Sequence, residues 1–136
     1  MTTYLLDTDH VIGLIASEEG VVERLRKSAK AGDRFGICTP VLSELYWFAK
    51  STAQMELNTA ALTELLADMP VWKTDRGAAE ILGEILAEQR GLGQPVPRPV
   101  AEIAAIARQR GAVILSSDAA FRTVRDTTIE DWRRPD

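Results

Sequence analysis

Tyr4-Leu5-Leu6-Asp7-Thr8-Asp9 is the stretch that decides the fold. A short apolar run reads as a buried strand, and here it stops on a carboxylate. In an open α/β sheet, ligands sit in the crevice beyond the carboxyl ends of the strands. An acid at the tip of the first strand is therefore placed to hold a metal ion. The same position suits capping of the helix that follows, so Asp7 and Asp9 each carry both readings.

Outward from this strand, short apolar runs alternate with helical periods. Val11, Ile12, Leu14 and Ile15 predict a short helix, and Val21, Val22 and Leu25 another that ends near Ala31-Gly32. Phe35 to Cys38 reads as a second strand. Thr39-Pro40 opens a helix with a capping residue and a proline in its first turn, carrying Val41, Leu42, Leu45, Tyr46 and Phe48 to about Lys50. A further helix runs from about Ala53 to Ala67. Val71-Trp72-Lys73 is a third strand, and Thr74 or Asp75 caps the helix after it.

The glycine- and proline-rich stretch from Gly91 to Pro99 reads as an internal loop over the active-site edge, since too little chain follows it for a second domain. Val100 to Arg110 is helical and stops at Gly111. Ala112-Val113-Ile114-Leu115 is a buried strand, followed by Ser116-Ser117-Asp118 and a helical turn through Phe121. Thr127-Thr128-Ile129 predicts a last, edge strand. This rhythm argues for one domain over residues 1–136, a mainly parallel sheet covered by helices on both faces.

Composition narrows the function classes. With 46% hydrophobic and 26% charged residues the chain is ordinary globular protein. No apolar run has the length of a membrane span, and the lone cysteine, Cys38, reads as a small buried hydrophobe. A cytoplasmic protein is expected. The net charge of −4 argues against an indiscriminate nucleic-acid binder. Arg24, Arg26, Lys27, Lys30 and Arg34 nevertheless cluster in one segment, and Arg122, Arg125, Arg133 and Arg134 in another. Such runs are solvated faces, or contacts to RNA phosphates or an acidic partner.

Three carboxylates stand out by position: Asp7 at the end of the first strand, Glu44 one turn into the helix after the second, and Asp118 just beyond the Ala112–Leu115 strand. If these strands are parallel neighbours, the three acids approach one edge of the sheet. Clustered carboxylates repel and are costly to desolvate, so a shared divalent cation is their natural stabiliser. Oxygen-only ligation favours Mg²⁺ or Mn²⁺ over zinc. Such an ion orients a water, lowers its pKa and neutralises charge building on a phosphodiester.

The segments Leu5-Leu6-Asp7-Thr8-Asp9, Thr39-Pro40-Val41-Leu42-Ser43-Glu44-Leu45, Ile103-Ala104-Ala105-Ile106-Ala107 and Ser116-Ser117-Asp118-Ala119-Ala120-Phe121 resemble PIN-domain proteins, in particular the VapC-like toxins of type II toxin–antitoxin pairs. The resemblance runs from about Leu5 to Trp132. It implies a three-layer α/β/α fold and a metal-dependent ribonuclease, homodimeric and restrained by a small antitoxin. Asp7, Glu44 and Asp118 match three acids of the family's metal site, and Ser116 the small hydroxyl residue before the last acid. The family's fourth acid is missing: three residues before Ile103-Ala104-Ala105 stands Val100. Glu102 is the nearest acid, but two residues along a helix turn it by roughly 200°. It replaces the missing acid only if the helix starts later or is rotated. Arg98 occupies a loop position where an acid is frequent.

Remaining features are weighed against packing. A single histidine, His10, excludes a His-rich metal site or a Ser-His-Asp triad. Helix packing is its expected role, with a contribution at the metal edge as the alternative. Trp47, Trp72 and Trp132 read as core or interface before base-stacking faces. Tyr46, Trp47 and Phe48 are consecutive on one helix, so at least one must reach a groove or partner surface. The function read from these features is hydrolysis of RNA by a carboxylate-held Mg²⁺ or Mn²⁺. The alternatives are a catalytically weakened PIN-like domain that binds RNA or protein, motivated by Val100, and a nuclease of DNA or flap substrates.

Overall fold

The computed structural model describes residues 1–134. In chain order its elements are β1 (Thr3–Leu6), α1 (Thr8–Ile15), α2 (Glu19–Lys30), β2 (Arg34–Cys38), α3 (Thr39–Lys50), α4 (Met55–Leu66), β3 (Val71–Trp72), α5 (Arg76–Gly91), α6 (Arg98–Arg110), β4 (Val113–Leu115), a 3₁₀ turn (Ala119–Thr123) and β5 (Ile129–Glu130). The sheet has five strands in the order β3-β2-β1-β4-β5. Every pairing is parallel, with Leu5 opposite Gly36 on one side of β1 and Ile114 on the other. Parallel neighbours need long crossovers, which the helices supply, and the result is the expected α/β/α sandwich.

Why β1 is central follows from its composition. Tyr4, Leu5 and Leu6 are all buried, as are Ile37 and Cys38 of β2 and Ile114 and Leu115 of β4. Strands covered on both faces lose alternation and read as continuous apolar runs. From β1 the chain builds outward through β2 and β3, then crosses to the far side for β4 and β5. The switch point thus lies between β1 and β4, and Asp7 N–H, donating to Leu115 O at 3.0 Å, continues the pairing past the strand ends.

Local chemistry sets the element ends. Asp75 caps α5 by accepting the Ala78 N–H at 2.9 Å. Gly32 and Gly111, with φ of 94° and 62°, close α2 and α6 in the left-handed region that only glycine enters without strain. Among the boundaries that differ from the sequence reading, three bear on the site or the sheet edge. Thr39 lies inside α3, whose capping position is Cys38, with no side-chain cap. The last strand lies further along, at Ile129–Glu130, though still at the sheet edge. Helix α6 begins at Arg98, because Pro99 in its first turn needs no N–H partner.

Candidate active site

Asp7 follows β1 directly and is the N-cap of α1. The capping reading of this residue holds: Oδ1 accepts the Thr8 N–H at 2.8 Å, while Oδ2 accepts from Ser116 Oγ at 2.7 Å. Ser116 Oγ in turn accepts the Asp118 N–H at 3.0 Å. One buried hydroxyl thus ties the end of β1 to the loop that follows β4. Asp118 caps the 3₁₀ turn through the Ala120 N–H.

A cleft of about 430 Å³ opens at this edge, and Asp7, Asp9, Glu44 and Asp118 all line it. The rest of its lining is largely apolar and includes Ile12, Phe48, Val100, Ile103 and Phe121. The structure thus gathers Asp7, Glu44 and Asp118 as the parallel arrangement predicts. Asp7 is buried, whereas Glu44 and Asp118 are exposed at the mouth. Val100 lines the cleft; Glu102, half-buried and later on the same helix, is not among its lining residues. Because α6 starts at Arg98, the late start that would have turned Glu102 inward does not occur.

Electrostatics set Asp7 apart. Burial raises its pKa, hydrogen bonds from Ser116 and Thr8 lower it, and the charges of Asp9 and Glu44 raise it again, to about 6. For Asp9, burial also acts upward, but hydrogen bonds from His10 and the Ser117 N–H outweigh it and keep the carboxyl below its usual value. Cys38, beside this edge, has its thiol pushed up to about 12, by burial first and then by the charges of Asp7 and Glu102. It is neutral and unreactive.

The donor set suits a hard divalent cation: it is all oxygen, and its buried member lies in the field of two other carboxylates. Among the described residues, no group of three or more His, Cys, Asp or Glu side chains is assembled to hold a metal ion. The oxygen ligands this cleft offers are the buried Asp7 and the exposed Glu44 and Asp118.

Sequence reasoning placed His10 in helix packing, and it is fully buried. It also touches the acid edge, with Nδ1 donating to Asp9 Oδ1 at 2.7 Å. Of the buried polar residues Asp7, Thr8, His10, Gln89 and Ser116, all but Gln89 lie at this edge. Buried polar groups are the informative exception in a core, and here they concentrate on one place. Asp131, which receives Ser117 Oγ at 3.0 Å, had no signal in the sequence. Trp132 is buried, Trp72 half-buried, and Trp47 and Phe48 stand in solvent, as three consecutive aromatics on one helix require.

A parallel α/β/α sandwich with carboxylates collected at its switch point is the class that fold and site define. The family model for the PIN domain matches residues 4–126, and the chain belongs to that family. Among curated relatives it is similar to the tRNA(fMet)-specific endonuclease VapC of Shigella flexneri, 31% identical over 133 residues, covering 97% of this chain and 99% of the relative. It is 26% identical, over the same share of each chain, to ribonuclease VapC2 of Haemophilus influenzae. The solved structure of DNA-bound VapBC from Salmonella typhimurium matches with a TM-score of 0.87 and 30% identity over 97% of this chain and 99% of that one. VapBC2 from Rickettsia felis, bound to a promoter DNA fragment, shares the fold at a TM-score of 0.88 and 20% identity, covering 96% of this chain and 99% of that one. The chain is thus a VapC-like PIN protein of the ribonuclease toxin kind.

Proposed function

We propose that this protein is a metal-dependent endoribonuclease that hydrolyses RNA phosphodiesters at the Asp7–Glu44–Asp118 cleft. The observation that carries the reading is the buried Asp7 carboxylate at the sheet's switch point, sharing one cleft with Asp9, Glu44 and Asp118. Asp7, with Glu44 and Asp118, would hold Mg²⁺ or Mn²⁺. When bound, such an ion lowers the pKa of water and offsets charge on the scissile phosphate. Ser116 Oγ fixes the rotamer of Asp7 and the backbone of Asp118 together, so the two carboxylates keep one spacing. The attacking group would be water activated by the bound ion rather than a side chain.

Partners follow from the relatives. A small antitoxin would restrain the enzyme in the cytoplasm, and the apolar groove of Ile12, Ile15, Leu45, Phe48 and Leu62 adjoining the cleft suits an apolar antitoxin segment. The exposed Trp47 fits a homodimer contact. Because relatives are named as initiator-tRNA endonucleases, tRNA(fMet) is the first substrate to try.

A second reading has its own observation. Val100 puts an alkyl group where the family carries an acid, and the remaining acids are not preassembled around one point. This favours a weakened PIN-like domain that binds RNA or protein without efficient cleavage. Purified chain assayed on tRNA(fMet) and other structured RNAs with Mg²⁺, Mn²⁺ or EDTA, beside Asp7→Asn, separates the two. Cleavage that needs both metal and Asp7 is expected. RNA binding with no cleavage under any ion would replace the first reading by the second.

A further inference from the structure

We propose that His10 is a positioning residue for the acid site, locked in one tautomer between Asp9 and the backbone of the C-terminal segment Asp131–Arg133. The role rests on the ribonuclease reading above; the geometry it uses is independent of it. His10 is fully buried. Its Nε2 receives the Trp132 backbone N–H at 2.9 Å. An amide N–H can only donate, so Nε2 must present its lone pair and the ring proton must reside on Nδ1. Nδ1 lies 2.7 Å from Asp9 Oδ1, so His10 donates to that carboxylate. With Nε2 so engaged, its 3.7 Å separation from Asp131 Oδ1 is not a hydrogen bond.

Asp9 passes this constraint on. Its second oxygen, Oδ2, accepts the Ser117 N–H at 2.8 Å. Ser117 Oγ donates to Asp131 Oδ1 at 3.0 Å, and Ser116 Oγ to Asp7 Oδ2 at 2.7 Å. The loop that delivers Asp118 is thus suspended from Asp7, Asp9 and Asp131, and His10 sets the orientation of the middle one. A carboxylate with one oxygen freed would turn about its last torsion, and the Ser117 amide would follow.

The lock on His10 is anchored in turn. The Trp132 ring packs edge-on against Tyr4 of β1, with centroids 4.9 Å apart, and against Phe35 of β2 at 6.0 Å. Arg133 grips Glu18 with two N–H donors, each at 3.0 Å. These contacts hold the Trp132 amide where Nε2 meets it.

The test combines spectroscopy and kinetics. His10 is the only histidine, so the imidazole ¹⁵N spectrum of the wild-type protein reports it alone. A protonated Nδ1 and a lone-pair Nε2 are expected; a proton on Nε2, or two exchanging tautomers, overturns the proposal whether or not the chain cleaves RNA. His10→Asn keeps a donor near the Nδ1 position toward Asp9 but loses the acceptor for Trp132. His10→Gln keeps that acceptor and loses the donor. For His10→Gln, kcat should fall about 10- to 100-fold with KM for RNA unchanged, the range for losing a group that orients a metal-site carboxylate. His10→Asn should keep most of kcat although it is the less stable of the two. Activity that tracks stability, or a His10→Gln enzyme equal to wild type, overturns the positioning role alone. A wild-type chain silent on RNA with both ions overturns the ribonuclease reading, and the role with it.

Discussion

Replacing Asp7 by Asn should abolish cleavage and at the same time stabilise the metal-free protein. Asp7 is 9% exposed and its pKa stands at about 6 against an ordinary 3.8, with burial the largest cause. Ionising it in the native state therefore costs roughly 3 kcal/mol, at about 1.36 kcal/mol per pH unit. That is a sizeable part of the ~5–15 kcal/mol that holds a domain together. The native state binds the proton more tightly than the unfolded chain, so stability is greatest below the unfolded pKa and is lost as pH rises through about 6. Asn carries no charge and keeps the hydrogen bonds: its carbonyl can take the Thr8 N–H, and its amide can donate to Ser116 Oγ once that hydroxyl turns. Urea titrations in EDTA at pH 7.5 should show Asp7→Asn more stable by up to about 3 kcal/mol, with most of the gain gone near pH 4. A variant equally or less stable at pH 7.5, or a gain that persists at pH 4, would refute the account of Asp7 as a desolvated carboxylate among like charges.

Ser116→Ala removes a hydrogen bond to an ionised group and leaves the Asp118 N–H without its acceptor. Urea titration should show a loss of about 1.5–3 kcal/mol, with the fall in metal-free stability on raising pH continuing to higher pH because Ser116 no longer lowers Asp7. Val100→Asp restores the family's acid beside Asp7. It should lower the melting temperature in EDTA and enlarge the rise that Mn²⁺ produces; equal Mn²⁺ shifts in both proteins would argue against an ion at this cleft. Glu102→Gln, outside the cleft lining, should leave kcat unchanged, and a large loss would place Glu102 in the site after all. Gly36→Ala drives a methyl to 2.6 Å from the Trp72 ring on the neighbouring strand and should destabilise by about 1–3 kcal/mol in thermal melts.

Much of this protein was legible in one dimension, because the relevant signals are local. Apolar runs at Leu5-Leu6, Ile37-Cys38 and Ile114-Leu115 mark strands covered on both faces, and the acids that follow them point to one edge of the sheet. Gly111 ends α6 through its own backbone preference, and at least one of Tyr46, Trp47 and Phe48 had to face outward because a helix cannot turn three successive side chains inward.

Other features depended on which distant segments meet. That Val100 and not Glu102 faces the acids follows from where α6 starts and how it packs against α3 and α5, which no residue spacing states. The pKa of Asp7 depends on burial under Ser116, 109 residues away, and on the nearness of Asp9 and Glu44. His10 shows the limit most clearly. In the sequence it is a single histidine near the start of a short helix, and its tautomer is decided by the amide of Trp132, 122 residues later. Periodicity and turn chemistry are written along the chain. Hydrogen bonds between chain ends, and the field within a cleft, exist only after the sheet has brought β1, β4 and β5 side by side.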